Sequence, residues 1–285
     1  MATTTQPTQM TGATNGAVID LVYRLGDDCL IIGHRNSEWT GLGPILEEDI
    51  AFSSMAQDQM GHAQALYSLL HTLGEPEPDH LAFLREAKDF RCCRFVALEP
   101  FGEAGSGASE DLRNNPDRDK LLTQGDWSLS LIRQFLFAEA WAIRLAALSE
   151  SSFEPLAEMA RKFRGEVKYH TMHGRIWIER LGRADADARQ RVQAAIHLLW
   201  PAALGMFEPT THDAGLARAG VCPSEAEACR KWQTDVTGLL AEAGFTWPRD
   251  AKPVVGGRAG NHGPELARLL ASMQKVYRLA PGATW

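Results

Sequence analysis

Apolar residues recur every three or four positions along most of this chain, the period of an amphipathic helix. From Ala17 to Arg35 they fall at Val18, Leu21, Leu25 and Ile32, and Asp28 lies on the same stripe. A turn follows with Asn36, Gly41, Gly43 and Pro44, and Pro44 suits the start of a second helix. That helix runs to Leu73, stops at Gly74 and Pro76, and carries the seam Ala51, Met55, Asp58, His62, Ala65 and Leu69. A short helix is expected from His80 to Phe90.

A third long helix spans Trp127 to Ser149, with Ile132, Phe135, Glu139, Ala142 and Ala146 on one face. The fourth runs from Phe153 to Leu181, is closed by Gly182, and has the stripe Met159, Phe163, Glu166, His170, His173 and Trp177. Further helices are expected at Ala188 to Leu199, Ser224 to Ala243 and Glu265 to Leu279. Ser224 and Glu227 have the spacing of a capping box at the second of these. Three stretches break the period: a Thr-, Gln- and Gly-rich tail from Met1 to Gly16, a Gly-, Ser-, Asn- and Asp-rich loop over 100–126, and an irregular Gly/Pro arm from Pro248 to Pro264. The pattern predicts an all-α fold, a ferritin-like four-helix bundle over about 17–182 with additional C-terminal helices over 183–285, in one domain. A long connection between its second and third helices fits such a bundle.

Composition removes several functions. The 285 residues are 45% hydrophobic, enough for a substantial core, and 36 acids outnumber 29 Lys and Arg. No basic run marks a nucleic-acid surface, and no apolar stretch approaches the ~20 residues that cross a bilayer. The tail lacks the apolar core of a signal peptide. Five cysteines, at 29, 92, 93, 222 and 229, fit neither a disulfide framework nor a zinc knuckle. The chain reads as a soluble, cytoplasmic protein of a reducing compartment.

The candidate chemistry lies in the seams. Each of the four long helices places an acid among apolar residues: Asp28, Asp58, Glu139 and Glu166, with His62 and His170 beside two of them. Di-metal carboxylate bundles take a Glu from each of two helices and a Glu-x-x-His pair from each of the other two. Here Asp58 and His62, and Glu166 and His170, are four apart instead of three, and correct spacing would pair Asp58 with Gly61 and His170 with Val167. Two readings stand side by side. The set builds a shifted metal site suited to iron or manganese, or it forms a buried polar network in which Asp58 accepts from His62 and Glu166 from His170. His170 and His173, three apart, could clamp a single ion or divide between core and solvent. His197, His212 and His262 are scattered. The segment Gly256-Gly-Arg-Ala-Gly260 follows no strand, so it is a weak phosphate cradle and better suited to an arm that wraps a partner. The tryptophans of the second half read as core.

Taken in order, Arg24-Leu-Gly-Asp-Asp-Cys-Leu30, Glu38-Trp-Thr-Gly41, Leu46-Glu-Glu-Asp-Ile50 and Asp58-Gln-Met-Gly61 resemble the C-subunit family of the bacterial ring-1,2-phenylacetyl-CoA epoxidase. So do Glu166-Val-Lys-Tyr-His170, Trp177-Ile-Glu-Arg-Leu-Gly182 and the ending Leu279-Ala-Pro-Gly-Ala-Thr-Trp285. The resemblance implies a non-catalytic structural subunit of a multicomponent monooxygenase for phenylacetate breakdown. It implies a catalytic A subunit that holds the di-iron centre, a small bridging B subunit, and a reductase component. No cofactor is then expected in this chain, and Asp28, Asp58, His62, Glu139, Glu166 and His170 become vestigial di-metal positions. Gly61 and Val167 stand where a catalytic homologue would carry His and Glu. The chain could also form a homodimer alone. The rival reading is an oxygen-activating di-iron enzyme in its own right that uses the same residues as ligands. An iron-storage bundle is a third option, for which the sequence shows no particular sign.

Overall fold

A computed structural model describes residues 12–100, 125–281 and 283 of the chain. Among these residues the structure is helical without strands. Four long helices make the bundle: α1 (Gly12–Ser37), α2 (Leu46–Thr72), α5 (Trp127–Leu148) and α6 (Glu154–Gly182), with the short α3 (Pro78–Phe83) and α4 (Arg94–Ala97) on the connection between the two hairpins. α7 (Ala186–Leu204), α8 (Asp213–Arg218), α9 (Glu225–Glu242), α10 (Pro264–Met273) and α11 (Lys275–Leu279) form the C-terminal extension.

α1 and α2 pair antiparallel at close range because glycines remove side chains from the contact. A Cβ on Gly26 would sit 2.8 Å from the Tyr67 ring, and one on Gly33 would sit 3.2 Å from the Ala56 carbonyl oxygen. Val18, Leu21, Leu25, Asp28 and Ile32 are all buried, so the α1 stripe faces the core as its spacing predicts. α5 is the central helix. It packs against α6, α7 and α9, and nearly every side chain from Ser128 to Trp141 is buried. The Asp126 carboxylate caps α5 by accepting from the Ser128 N–H at 2.8 Å, and the Ser224–Glu227 capping box opens α9.

Several boundaries differ from the periodic reading. α1 begins at Gly12, inside the stretch expected as a tail. The helix expected over His80 to Phe90 ends at Phe83 and resumes only as a 3₁₀ turn at Ala87–Asp89. The last helix is broken at Gln274, whose buried side-chain amide donates to the Ala82 and Arg85 carbonyls at 3.2 and 3.0 Å. α4 and α8, at four and six residues, are too short for a periodic signal. Of the loop expected over 100–126, residues 101–124 lie outside the described residues.

The seams of α2 and α6 are rotated relative to expectation. On α2 the buried line runs through Phe52, Met55, Gln59, His62 and Leu66, leaving Ala51, Asp58 and Ala65 at its edge. On α6 it runs through Phe163, Val167, His170, Gly174 and Ile178, leaving Glu166, His173 and Trp177 on the flank. A step of three and four residues fits two adjacent stripes of a helix almost equally well, and here burial favours the neighbouring stripe.

Candidate functional site

α2 and α6 lie antiparallel, stitched by three acid–histidine pairs. At one end Glu48 of α2 accepts from His173 Nε2 at 3.0 Å and from Trp177 Nε1 at 2.7 Å. About three to four turns further along α2 the partners cross. His170 Nε2 meets Asp58 Oδ2 at 2.9 Å, and His62 Nε2 meets Glu166 Oε2 at 2.7 Å. Sequence spacing predicts pairs within each helix; the structure forms them between helices instead. An i,i+4 acid–His pair would point both groups along one helix. The rotated seams aim each imidazole across the gap to the opposite helix's acid.

The other ring nitrogens fix the tautomers. The Trp141 indole N–H can only donate, and it points at His62 Nδ1 at 3.4 Å. His62 therefore carries its proton on Nε2 and donates it to Glu166. The Gln59 side-chain amide stands 3.4 Å from His170 Nδ1 in the same manner. His62 is stacked on Phe163 with ring centroids 3.9 Å apart, and burial lowers its pKa even though the Glu166 hydrogen bond pulls the other way. Both imidazoles are buried, whereas the Asp58 and Glu166 side chains are 35% and 45% exposed, so each pair joins the interior to a solvated carboxylate.

The two remaining seam acids lie elsewhere. Asp28 is gripped by Arg258, whose Nη1 and Nη2 donate to its two oxygens at 2.9 and 2.8 Å, and it also accepts the Cys93 N–H at 2.7 Å. Glu139 is gripped by Arg175 in the same bidentate fashion, at 2.6 and 2.7 Å. Neither joins the α2–α6 pairs. His170 and His173 serve different acids, so they do not clamp one ion. Among the described residues no three His, Cys, Asp or Glu side chains come together as a metal-binding group. Two carboxylates already neutralised by guanidinium groups, and two imidazoles that donate from Nε2 to carboxylates, do not fit a four-helix di-metal ligand set.

Several polar groups that carry the site escaped the sequence reading. Gln59, Gln134 and Asn36 are buried amides, with Asn36 Nδ2 donating to Gln134 Oε1 at 2.7 Å. Asp27 is fully buried, accepting from the Tyr67 hydroxyl at 2.6 Å, from Arg85, and from the Arg91 N–H. The adjacent Asp27 and Asp28 thus hold two separate segments against α1. The Gly256–Gly260 segment folds onto its own bundle, where a Cβ at Gly257 would fall 2.4 Å from the Cys92 carbonyl oxygen. His262, expected to stand alone, meets the Phe90 carbonyl at 3.1 Å. Cys29, Cys92 and Cys93 are buried thiols whose pKa values burial pushes up, as for inert core cysteines.

A family model described as phenylacetic acid catabolic protein matches residues 1–285. The chain belongs to that family. Within it, the chain is 30% identical over 264 residues to the C subunit of the 1,2-phenylacetyl-CoA epoxidase of Escherichia coli (strain K12), an alignment that covers 92% of this chain and 96% of that protein. The family resemblance read from the motifs is therefore met along the whole sequence. No helix among the described residues is long and apolar enough to cross a membrane.

Proposed function

We propose that this chain is a non-catalytic structural subunit of a phenylacetyl-CoA epoxidase, a ring-epoxidising monooxygenase of aerobic phenylacetate catabolism. It pairs with and supports a di-iron catalytic subunit, alongside a small bridging subunit and a reductase. The observation that carries this reading is the capture of Asp28 and Glu139 by Arg258 and Arg175. A guanidinium supplies positive charge to each acid without any open coordination position. The crossed pairs of Asp58, His62, Glu166 and His170 then hold two helices together as a hydrogen-bonded network. The rival reading, a di-iron enzyme in its own right, would use Asp28, Asp58, His62, Glu139, Glu166 and His170 as its ligands.

Elemental analysis after anaerobic reconstitution with ferrous iron separates the two. The structural reading expects only trace iron in the isolated chain, and epoxidation by the catalytic subunit that falls when this chain is withheld. About two irons per chain, lost in Asp58→Ala, would establish the rival. A catalytic subunit that is fully stable and active without this chain would also overturn the proposal.

A further inference from the structure

Arg133, on the first two turns of α5, is among the largest fully buried side chains of the described residues. Its Nη1 donates to the Leu98 carbonyl, whereas its Nε and Nη2 are buried with no acceptor among the described residues. These two donors are not independent of each other. The Nε–H and Nη2–H bonds of a guanidinium run parallel along one edge, spaced for the two oxygens of a single planar carboxylate. The same edge holds a carboxylate at two other places in this chain. Arg175 Nε and Nη2 hold Glu139 at 2.6 and 2.7 Å, and Arg268 Nε and Nη2 hold Glu99 at 2.9 Å each. Arg133 presents the same fork in the interior, and no acid of the described chain enters it.

The nearby acids are committed to other arginines. Glu38 accepts from Arg35 Nη1 at 2.5 Å, and Glu99 is held by Arg268. Arg35 is itself fully engaged, because its Nε donates to the Ala97 carbonyl and its Nη2 to the Glu265 carbonyl, both at 3.0 Å. Burial first, then the Arg35 charge, disfavour the Arg133 cation, and the Glu38 charge offsets only part of this. A cation taken out of water needs an opposite charge or a full set of acceptors. We propose that Arg133 anchors an anion site, in which the fork of Nε and Nη2 takes one small monocarboxylate.

Three properties of the place select that class. The parallel donors match a planar pair of oxygens better than a spherical halide. Arg35 is balanced by Glu38, so Arg133 offers a single uncompensated charge, and a divalent oxyanion would bring in a second charge with nothing to meet it. Both donors are closed off from solvent, so the site suits a carboxylate of one or two carbons and excludes a long chain. The location gives such an anion a use. α1 ends at Ser37, α5 begins at Trp127, and the Asp126 N–H donates to the Pro100 carbonyl at 2.7 Å, so several segments converge at this end of the bundle. A carboxylate on Arg133 would brace the start of α5 against residues 98–100. The site is separate from the α2–α6 pairs, and the inference does not depend on the subunit reading.

Thermal unfolding of the purified full chain tests it, with sodium formate replacing sodium chloride at fixed pH and ionic strength. A ligand that binds only the folded state raises the midpoint with the logarithm of its concentration. The expected rise is roughly 2–5 °C at about 100 mM formate. Arg133→Lys keeps the charge but removes the fork, and should weaken the apparent affinity at least ~tenfold. Arg133→Met should abolish the rise, and butyrate should produce none with the unaltered chain. A formate effect that persists in either variant overturns the proposal, as does a butyrate effect equal to that of formate. A midpoint indifferent to formate overturns it as well, and assigns the two donors to water.

Discussion

Arg258 and Asp28 are joined by two parallel hydrogen bonds of 2.9 and 2.8 Å across 230 positions of sequence, and both side chains are buried. The guanidinium also donates to the Arg91 carbonyl at 2.9 Å and the Met206 carbonyl at 3.1 Å. One side chain from the C-terminal arm thus ties together α1, the connection before α4, and the 3₁₀ turn Gly205–Phe207 that follows α7.

Removing Arg258 leaves Asp28 charged and unpaired in the core. Arg258→Ala should cost about 3–5 kcal/mol of folding stability, as losing one partner of a buried pair does. The double replacement Arg258→Met with Asp28→Leu should recover most of that loss. Urea denaturation of the three proteins checks both statements.

Arg133 should behave in the opposite way. Its Nη1 donates to the Leu98 carbonyl, its Nε and Nη2 are buried without hydrogen-bond partners, and burial beside Arg35 pushes its pKa down to about 9. Because no carboxylate among the described residues forms an ion pair with it, and only the Glu38 charge offsets its burial, Arg133→Met should cost less than ~1 kcal/mol or stabilise the protein. A loss comparable to that of Arg258→Ala in the same urea titration would contradict this assignment.

Stability should also fall with acid through His34. Burial first, then the neighbouring Arg35 charge, lower its pKa from about 6.5 to about 4. Between those values the unfolded chain binds a proton at this site that the folded chain does not. The contribution is therefore complete above about 6.5 and is lost as pH falls toward 4. His34→Gln should flatten the dependence of the thermal midpoint on pH in that window, as calorimetry over a pH series would show.

Two helical glycines should respond with opposite signs. At Gly174 of α6 an added Cβ would lie 2.9 Å from the Phe135 ring and 3.2 Å from its Cα, so Gly174→Ala should push α5 and α6 apart and cost ~1–3 kcal/mol. At Gly238 of α9 the same Cβ meets nothing within 4 Å, and Gly238→Ala should stabilise by ~1 kcal/mol. Paired thermal melts distinguish packing from helix propensity.

The long helices were legible because each repeats its apolar period over many turns, and Gly74 and Ser224 mark ends with their own chemistry. The direction of the acids was not. Whether His62 serves Asp58 on its own helix or Glu166 on the next depends on about one stripe of helix rotation, and periodicity does not resolve that difference. Arg258 was hidden for another reason: nothing local in Gly256-Gly-Arg-Ala-Gly260 records that its target lies in α1. The neighbouring Asp27 and Asp28 were a usable sign. Two consecutive acids inside an apolar helix cannot both face one core stripe, so each demanded its own buried donor.

The Arg258–Asp28 bond also constrains the order of biosynthesis. α1 leaves the ribosome carrying Asp28 on its apolar stripe, while the group that neutralises it is made 230 residues later. Until then the hairpin of α1 and α2 must either keep that carboxylate hydrated or hold a proton on it. α1 is therefore made early relative to the group that completes its packing, and a nascent chain stalled before Arg258 would expose the side of α1 that the finished protein seals.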